Sequence, residues 1–475
     1  MQRKRPLMLL YNCLDYTINE RRRLPIKYDI ISSYGLKEND IESYKSFQKA
    51  NELHVYITLH SYGQRCPICG KYTKKVKGYS TKKIIHSVLI SMPCTIHYRA
   101  RRYICTTCTK TFYEDNPFCD KGTNLSTDTI HNTLKLLKEY NQTFSSVART
   151  LHISKTKVLQ IFDEHVQPLR KPLSRSICLD EFYFSRKAKK KYAFLILDFT
   201  RGNIIDMLES REKRVISNYL RSIPVEERNL VEYVSIDMND IYRELVYKYF
   251  NNACVCADSF HVIKLINTAL DTIRKRVMKR YEHNKKSNEY YLLKYRRDLL
   301  YSDVADDTFS KPRYNHHFKY AVSDKRKLEM LLVIDRDLAE AYSIKEAYSL
   351  FNSAEYDMYV RQEVLESLIE RFLSSNIEEI IQVGGTLTRW KQEILNSFVT
   401  ITKKVKGKDG ISNIVSFRVS NGPIEGRNKY IKIILKLANG YSNFQRFRNR
   451  CMYCLNRFEK YSEDKLTTVI KRKIK

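Results

Sequence analysis

Two pairs of cysteines, Cys66-Pro-Ile-Cys69 and Cys105-Thr-Thr-Cys108, constrain the fold of this chain more than any other feature of its sequence. A spacing of two residues places both thiolates of a pair on one tight turn, so each pair supplies half of a tetrahedral zinc site. Apolar and polar residues alternate between the pairs, which is typical of short strands. The sequence therefore predicts a zinc ribbon with a structural Zn²⁺. The alternative is two unrelated pairs of reduced thiols.

The charge of the chain favours a polyanionic partner. Its 475 residues include 85 lysines and arginines against 53 aspartates and glutamates, a formal net charge of +32. Such a surface attracts phosphate backbones. No apolar run reaches the roughly 20 residues of a membrane helix, and the 12 cysteines are too sparse for a disulfide framework. We expect a soluble, cytoplasmic protein of two to four domains.

A helical DNA-binding segment is predicted after the cysteine pairs. Ser126 can cap one helix, and the pattern over 143–162 predicts two more that are joined by a short turn. In a helix-turn-helix, Ser154 would cap the recognition helix, and Val158 and Ile161 would face inward. The residues expected to face the DNA groove are Lys155, Thr156 and Lys157. The alternative is a plain helical hairpin.

From Ser176 onward the periodicity becomes that of strands. Three strands up to Glu209 are followed by a helix, a strand ending at Asp237, a second helix and a strand ending at Ala257. This order is that of a ribonuclease-H-like fold, in which the first strand lies beside the fourth. The sequence therefore predicts an α/β core in which Asp180, on the first strand, is a neighbour of Asp237.

One further acid, Glu425, lies far from this strand pattern along the chain. The charged stretch over 260–400 has no strand pattern, so we expect an all-helical insertion before Glu425, which falls on a predicted helix from Ile424. Lys429 and Lys432 would share its helix face and could contact DNA. Because buried carboxylates need a positive partner, a divalent cation beside a phosphodiester fits these acids best.

Together these motifs resemble, over nearly the whole chain, one family: the bacterial insertion-sequence transposases of the ISL3 type. The resemblance rests on both cysteine pairs and on Leu179-Asp-Glu-Phe, Ile236-Asp-Met-Asn, Asp258-Ser-Phe-His-Val-Ile-Lys264, Ser420-Asn-Gly-Pro-Ile-Glu-Gly-Arg-Asn-Lys-Tyr-Ile-Lys432 and Gly440-Tyr-Ser-Asn-Phe-Gln-Arg-Phe-Arg448. One departure is Ala438-Asn439, where an aromatic residue is expected.

The resemblance implies a DDE (Asp, Asp, Glu) transposase, in which metal-dependent cleavage frees a 3′ hydroxyl that attacks target DNA. Asp180, Asp237 and Glu425 would be catalytic and would hold Mg²⁺ or Mn²⁺. The helix of Glu425 would contact DNA through Arg427, Lys429 and Lys432.

The resemblance also implies partners and a domain order. The partners would be double-stranded DNA, as transposon ends and target, and a second copy of the chain, with no membrane, in the bacterial cytoplasm at the nucleoid. The implied domains are an N-terminal segment at 1–50, the zinc ribbon at 51–120, the helix-turn-helix at 121–172, the ribonuclease-H-like core at 173–265, the helical insertion at 266–410, and the last core helices with a basic tail at 411–475.

Asp258 competes with Asp237 for the second catalytic position, because it begins an Asp-x-x-His motif. Topology favours Asp237, which ends the fourth strand beside the first, whereas Asp258 ends the fifth. We interpret Asp258 and His261 as supporting residues of the site or as DNA contacts. Glu181 follows Asp180 on a strand and is expected to point to the other face.

Two other functions are compatible with the same residues. One is a DNA-binding regulator derived from an inactive transposase, although the presence of Asp180, Asp237 and Glu425 argues against it. The other is a sequence-specific nuclease that cuts DNA without strand transfer. An assay for both cleaved and joined product distinguishes the three functions.

Overall fold

The computed structural model of the protein describes residues 30–31, 33–87, 92–185, 190–302, 309–406 and 412–461. The chain divides into two compact units, Met1–Gln167 with Lys460–Lys475, and Pro168–Glu459. Most of the N-terminal segment expected at 1–50 lies outside the described residues. The basic tail at the C-terminal end of the chain also lies outside them.

A five-stranded sheet forms the body of the first unit. The strands of this unit are β1 (Ile41–Lys49), β2 (Glu52–Leu59), β3 (Gln64–Arg65), β4 (Tyr72–Thr73), β5 (Val76–Ile85), β6 (Cys94–Ile104) and β7 (Thr111–Tyr113). The sheet has the order β1-β2-β6-β5, β7 also pairs with β6, and β3 and β4 form a separate hairpin. Alternate residues of β6, namely Cys94, Ile96, Tyr98 and Ala100, are buried in the core. The sheet begins at Ile41, inside the segment expected to precede the zinc ribbon.

Three helices follow this sheet in the first unit: α1 (Thr127–Lys138), α2 (Phe144–Thr150) and α3 (Lys155–His165). Both predicted caps are confirmed, because Ser126 Oγ accepts a hydrogen bond from Thr129 N–H at 3.1 Å and Ser154 Oγ accepts one from Lys157 N–H at 3.2 Å. The inward residues predicted for α3 are buried, namely Val158 and Ile161.

The second unit contains a mixed five-stranded sheet in the order β10-β9-β8-β11-β12. Its strands are β8 (Ser176–Tyr183), β9 (Tyr192–Asp198), β10 (Ile204–Leu208), β11 (Tyr233–Ile236) and β12 (Cys254–Ala257). β8, β11 and β12 are parallel, and β9 and β10 complete the sheet in antiparallel pairs. The prediction that the first strand lies beside the fourth is confirmed by the pairing of β8 with β11.

Helices make up most of the rest of the second unit. They are α4 (Lys213–Ser222), α5 (Val225–Asn229), α6 (Asp240–Tyr249), α7 (Ser259–Lys279), α8 (Asn288–Tyr295), α9 (Asp324–Val333), α10 (Arg336–Ser353), α11 (Met358–Leu373), α12 (Glu378–Arg389), α13 (Lys391–Asn396), α14 (Gly422–Leu437) and α15 (Phe444–Leu455). Among the described residues, none of the helices is both long enough and apolar enough to cross a membrane.

Different helices cover the two faces of the second sheet. Ile177 and Leu179 of β8 pack in a core that includes α4 and α6 to α13, whereas Cys178 and Phe182 pack in a core that includes α14 and α15. Because successive strand residues point to opposite faces, Asp180 lies on the side covered by α14.

The expectation of an all-helical stretch over 266–410 is wrong in two places. A hairpin of β13 (Arg313–Asn315) and β14 (Tyr320–Val322) lies within it, and β15 (Thr400–Lys406) pairs with β16 (Ser412–Arg418) at its end. The strands of the first hairpin have three residues each and are too short to produce an alternating pattern in the sequence.

Candidate active site

The two cysteine pairs form matching turns in the first unit. Cys66 N–H donates to Lys71 O at 2.8 Å, and Gly70 N–H donates to Cys66 O at 2.9 Å. At the second pair, Cys105 N–H donates to Lys110 O at 2.9 Å, and Thr109 N–H donates to Cys105 O at 3.0 Å. Gly70 and Thr109 both have positive φ, 71° and 55°, which closes each turn behind its cysteines.

The four thiols converge on one point. Cys66 and Cys108 Sγ are 3.5 Å apart, Cys69 and Cys105 Sγ are 3.4 Å apart, and all four lie within 4.8 Å of one another. A tetrahedral zinc with bonds of about 2.3 Å needs sulfur atoms about 3.8 Å apart, close to this spacing. Hydrogen bonds from the backbone of Cys108 and Thr107 lower the pKa of Cys105 to about 6. At Cys108 a backbone hydrogen bond from Lys110 is outweighed by burial and by the other three thiols, which raise its pKa to about 12.

Three aspartates are aligned across the parallel strands of the second unit. Ile236 of β11 pairs with Leu179 of β8 and with Ala257 of β12. Asp180, Asp237 and Asp258 each follow one of these paired residues, so all three occupy the next row of the sheet. The register brings both candidates for the second aspartate to one end of the strands.

Asp237 and Asp258 share His261 and Asn421 as neighbours. His261 Nε2 is 3.0 Å from Asp237 Oδ1 and 4.0 Å from Asp258 Oδ2. Asn421 Nδ2 donates to Asp237 Oδ1 at 2.8 Å, and Asn421 N–H donates to Asp258 Oδ1 at 3.1 Å. Asp258 is buried, and its Oδ2 has no hydrogen-bond partner in the part of the chain that the structure describes.

The surroundings of Asp180 disfavour the charged form of its carboxylate. Its carboxylate accepts hydrogen bonds from Asn428 Nδ2 at 2.6 Å and from Glu181 N–H at 2.7 Å. Burial raises the pKa of Asp180 to about 7, and the negative charge of Asp237 adds to this rise. A cation between these carboxylates would remove the penalty.

Helix α14 places three polar residues opposite the aspartates. Asn421, Glu425 and Asn428 are spaced by four and three positions and therefore share one helix face. Glu425 is exposed and lines a shallow depression of about 400 Å³ together with Lys429, Lys432, Ile433 and Lys436. The negative charge of Glu425 makes a smaller contribution to the raised pKa of Asp180 than burial and the charge of Asp237 do.

Comparison with known proteins identifies the family of the chain. The model of the ISL3-type DDE family, described as "Transposase", matches residues 177–405 and 400–451, more than half of the chain. The chain belongs to the ISL3 family of transposases. A second model, described as "zinc-finger of transposase IS204/IS1001/IS1096/IS1165", matches residues 63–108, which include all four cysteines.

Curated relatives of this ISL3-type transposase are distant. The "Transposase for insertion sequence element IS1557" from two strains of Mycobacterium tuberculosis, CDC 1551 / Oshkosh and ATCC 25618 / H37Rv, is 22% identical over 273 residues. The aligned part is 57% of this chain and 58% of each relative. The match therefore spans less than two thirds of the relatives' length.

The residues predicted to contact DNA in this ISL3-type transposase differ in exposure. Lys155 and Thr156 at the start of α3 are exposed, and Lys157 is half-buried, with its Nζ 3.3 Å from Gln160 Oε1. Arg427 is also half-buried and donates through Nε to Gly202 O at 2.6 Å, so it is engaged with its own chain.

Glu181 and the two asparagines complete the surroundings of the site. Tyr242 Oη and Arg211 Nη1 contact the Glu181 carboxylate on the opposite face from Asp180, as the alternation predicts. Asn421 and Asn428 were not identified from the sequence, although both lie within the Ser420–Lys432 motif and share the helix face of Glu425. The spacing of seven residues between the two asparagines, about two helical turns, was the sequence signal that could have identified them.

Proposed function

We propose that this chain is a DDE transposase that binds the ends of an insertion sequence and catalyses metal-dependent cleavage and strand transfer of DNA. The observation that carries the proposal is the row of Asp180, Asp237 and Asp258 facing the α14 residues Asn421, Glu425 and Asn428, within a chain of the ISL3 transposase family.

In this proposal, the second sheet is a ribonuclease-H-like core at 173–265 and 411–475, interrupted by a mainly helical insertion at 266–410. Asp180 and Asp237 lie on adjacent strands of that core, which supports them as the first two catalytic acids, with Glu425 as the third. Asp258 follows the outermost strand of the sheet, which supports a secondary role for it.

The residues fit divalent cations. Asp258 has a buried oxygen without a partner, and burial beside Asp237 raises the pKa of Asp180. Asp180, Asp237 and Glu425 would hold Mg²⁺ or Mn²⁺, which when bound stabilise the entering and leaving oxygens of an in-line displacement. Asn421 and Asn428 hold Asp237 and Asp180 in fixed orientations through side-chain hydrogen bonds.

Double-stranded DNA is the proposed partner, and the formal net charge of +32 supports it. The start of α3 presents Lys155, Thr156 and Lys157 as a recognition helix would, and the zinc ribbon precedes it. Lys429 and Lys432 beside Glu425 would hold the phosphate backbone near the cleaved bond. Joining two transposon ends requires at least two copies of the chain, in the bacterial cytoplasm at the nucleoid.

The test is cleavage and joining of an oligonucleotide that carries the element's own end, with Mg²⁺. Wild type is expected to produce cleaved and joined strands, Asp180→Ala, Asp237→Ala and Glu425→Ala to produce none, and Asp258→Ala to retain part of the activity. If Asp258→Ala is inactive and Asp237→Ala is active, the second catalytic acid is Asp258. Cleavage without joining identifies a nuclease, and binding without cleavage identifies a regulator.

A further inference from the structure

Asp237, Asp258 and His261 make a ligand set that shares only Asp237 with the three proposed catalytic acids. We propose that these residues form a separate cation position in which the His261 imidazole is a direct ligand, and that this position binds Mn²⁺ more tightly than Mg²⁺. The inference rests on the proposed metal-dependent function for the identity of the cation, while the ligand set rests on the geometry of the site.

The spacing of the three ligand atoms suits one ion. Asp258 is the N-cap of α7 and His261 lies in its first turn, so the sequence Asp-x-x-His brings both side chains together. His261 Nε2 is 3.0 Å from Asp237 Oδ1 and 4.0 Å from Asp258 Oδ2, and one ligand atom from each residue lies within 4.8 Å of the others. Octahedral coordination with bonds of about 2.1 Å places neighbouring ligands about 3.0 Å apart and opposite ligands about 4.2 Å apart.

An unpartnered buried oxygen gives independent support for a ligand here. Asp258 is 2% exposed; its Oδ1 accepts the Asn421 N–H, and no described residue offers its Oδ2 a hydrogen bond. A desolvated carboxylate oxygen without a positive partner is costly. His261 Nε2 lies beside Asp237 Oδ1, but at 4.0 Å it is too far from Asp258 Oδ2 for a hydrogen bond.

Arg418, whose positive charge affects the pKa of Asp258, is engaged by other residues. The positive charge of Arg418 lowers the pKa of Asp258, against the larger effect of burial. Its guanidinium, however, donates to Ser397 O at 2.8 Å and to Asn352 Oδ1 at 2.8 Å, and stacks on Phe398. A cation held by Asp237, Asp258 and His261 would satisfy Asp258 Oδ2 directly.

The donor set decides which cation is preferred. Mg²⁺ strongly favours oxygen ligands, whereas an imidazole nitrogen beside two carboxylates suits Mn²⁺ and later divalent metals. Because Asp237 belongs both to this set and to the proposed catalytic set, a cation here would also fix the Asp237 carboxylate beside Asp180.

The experiment is pulsed electron paramagnetic resonance on full-length protein that carries one equivalent of zinc, which the four ribbon thiols hold, and that is titrated with Mn²⁺. Coordinated imidazole gives a nitrogen-14 modulation that an uncoordinated imidazole does not. Wild type is expected to show this modulation. His261→Gln should lose it and bind Mn²⁺ at least about tenfold more weakly, since even outer-shell partners of metal ligands have effects of that size. His54→Gln, which changes a histidine hydrogen-bonded to His97 in the first unit, should retain the modulation.

Absence of the modulation in wild type saturated with Mn²⁺, or its persistence in His261→Gln, would overturn the inference. Should His261→Gln fail to fold, Asp258→Asn serves in its place, and unchanged Mn²⁺ affinity in that variant would also overturn it. The DNA assay is scored separately. A protein that cleaves and joins DNA without the modulation refutes only this cation position, and a protein with the modulation that does neither refutes only the proposed function.

Discussion

Asn428 connects the catalytic strand to a helix near the other end of the chain. Its Nδ2 donates to Asp180 Oδ2 at 2.6 Å, and the asparagine is 6% exposed. Asn428→Ala removes this donor and frees the carboxylate to rotate. We expect DNA cleavage to fall about 10- to 100-fold with DNA affinity unchanged, the range seen for outer-shell partners of metal ligands.

The control for this prediction is Asn252→Ala, which truncates an exposed asparagine whose Nδ2 donates to Asn229 O at 3.0 Å. It should leave cleavage at the wild-type rate. Equal rates for Asn428→Ala and Asn252→Ala would show that the hydrogen bond to Asp180 has no part in the chemistry.

The protonation of His86 has a predictable effect on the stability of the first unit. It is buried, its Nδ1 lies 3.0 Å from Ser126 Oγ and 3.2 Å from Tyr34 Oη, and burial lowers its pKa to about 4. Because an unfolded histidine has a pKa of about 6.5, the unfolded state binds more protons between these values. The folded first unit should therefore lose stability as the pH falls from about 6.5 to about 4.

The measurement for His86 is thermal unfolding of the zinc-loaded protein at pH 7 and pH 5. His86→Asn keeps a polar side chain but cannot titrate, so its unfolding temperature should fall less between the two pH values than that of wild type. The difference corresponds to about 2 kcal/mol, because each pKa unit is worth about 1.4 kcal/mol. Parallel pH profiles for the two proteins would show that another group carries the effect.

At the scale of elements, the turns that carry the two cysteine pairs depend on the four thiols rather than on the core of the five-stranded sheet. β3 and β4 are two residues each, and the thiols of Cys66, Cys69, Cys105 and Cys108 lie beside them. Cys105→Ser should reduce bound zinc from about one per chain to almost none and destabilise these turns, because structural zinc sites supply folding free energy.

A chelator-release assay of zinc checks this prediction, with Cys254→Ser as the matched control. Cys254 is an exposed, free cysteine of the second unit, so its removal should leave the zinc content unchanged. Equal zinc loss in both variants would indicate that zinc binds without the four ribbon thiols.

Local patterns predicted the elements better than they predicted the contacts between elements. The caps at Ser126 and Ser154 followed from side-chain chemistry. The pairing of β8 with β11 is a contact between elements that was predicted, but it followed from the element order of a ribonuclease-H-like fold and not from a local pattern. The hydrogen bonds from Asn421 to Asp237 and from Asn428 to Asp180 join residues 184 and 248 positions apart, and periodicity carries no information about such pairs.

The end of α14 shows a departure from the family pattern with a conformational reason. Asn439 and Gly440 have φ values of 54° and 91°, and Gly440 N–H donates to Leu435 O at 2.8 Å. This left-handed helix end suits asparagine and glycine far better than an aromatic residue, which explains Ala438-Asn439 where an aromatic residue was expected.

For the whole molecule, general attraction to DNA and recognition of the element's own end should be experimentally separable. A formal net charge of +32 gives general attraction to any DNA, and this attraction falls steeply with salt. Affinity for the element's own end requires groove contacts as well, for which the exposed Lys155 at the start of α3 is the proposed source. Removing a lysine that contacts the groove should therefore reduce specificity, whereas removing a lysine that contributes only general charge should not.

Lys155→Ala is expected to weaken binding to the element's end about 10-fold, roughly the 1–3 kcal/mol of one base contact, and to change binding to unrelated DNA much less. Lys285→Ala, which removes an exposed lysine of the second unit, should leave the ratio of the two affinities at its wild-type value. Fluorescence anisotropy on both DNAs at two salt concentrations measures these affinities. If Lys155→Ala lowers both affinities by the same factor, Lys155 contacts phosphate only, and α3 contributes to general attraction rather than to recognition of the end.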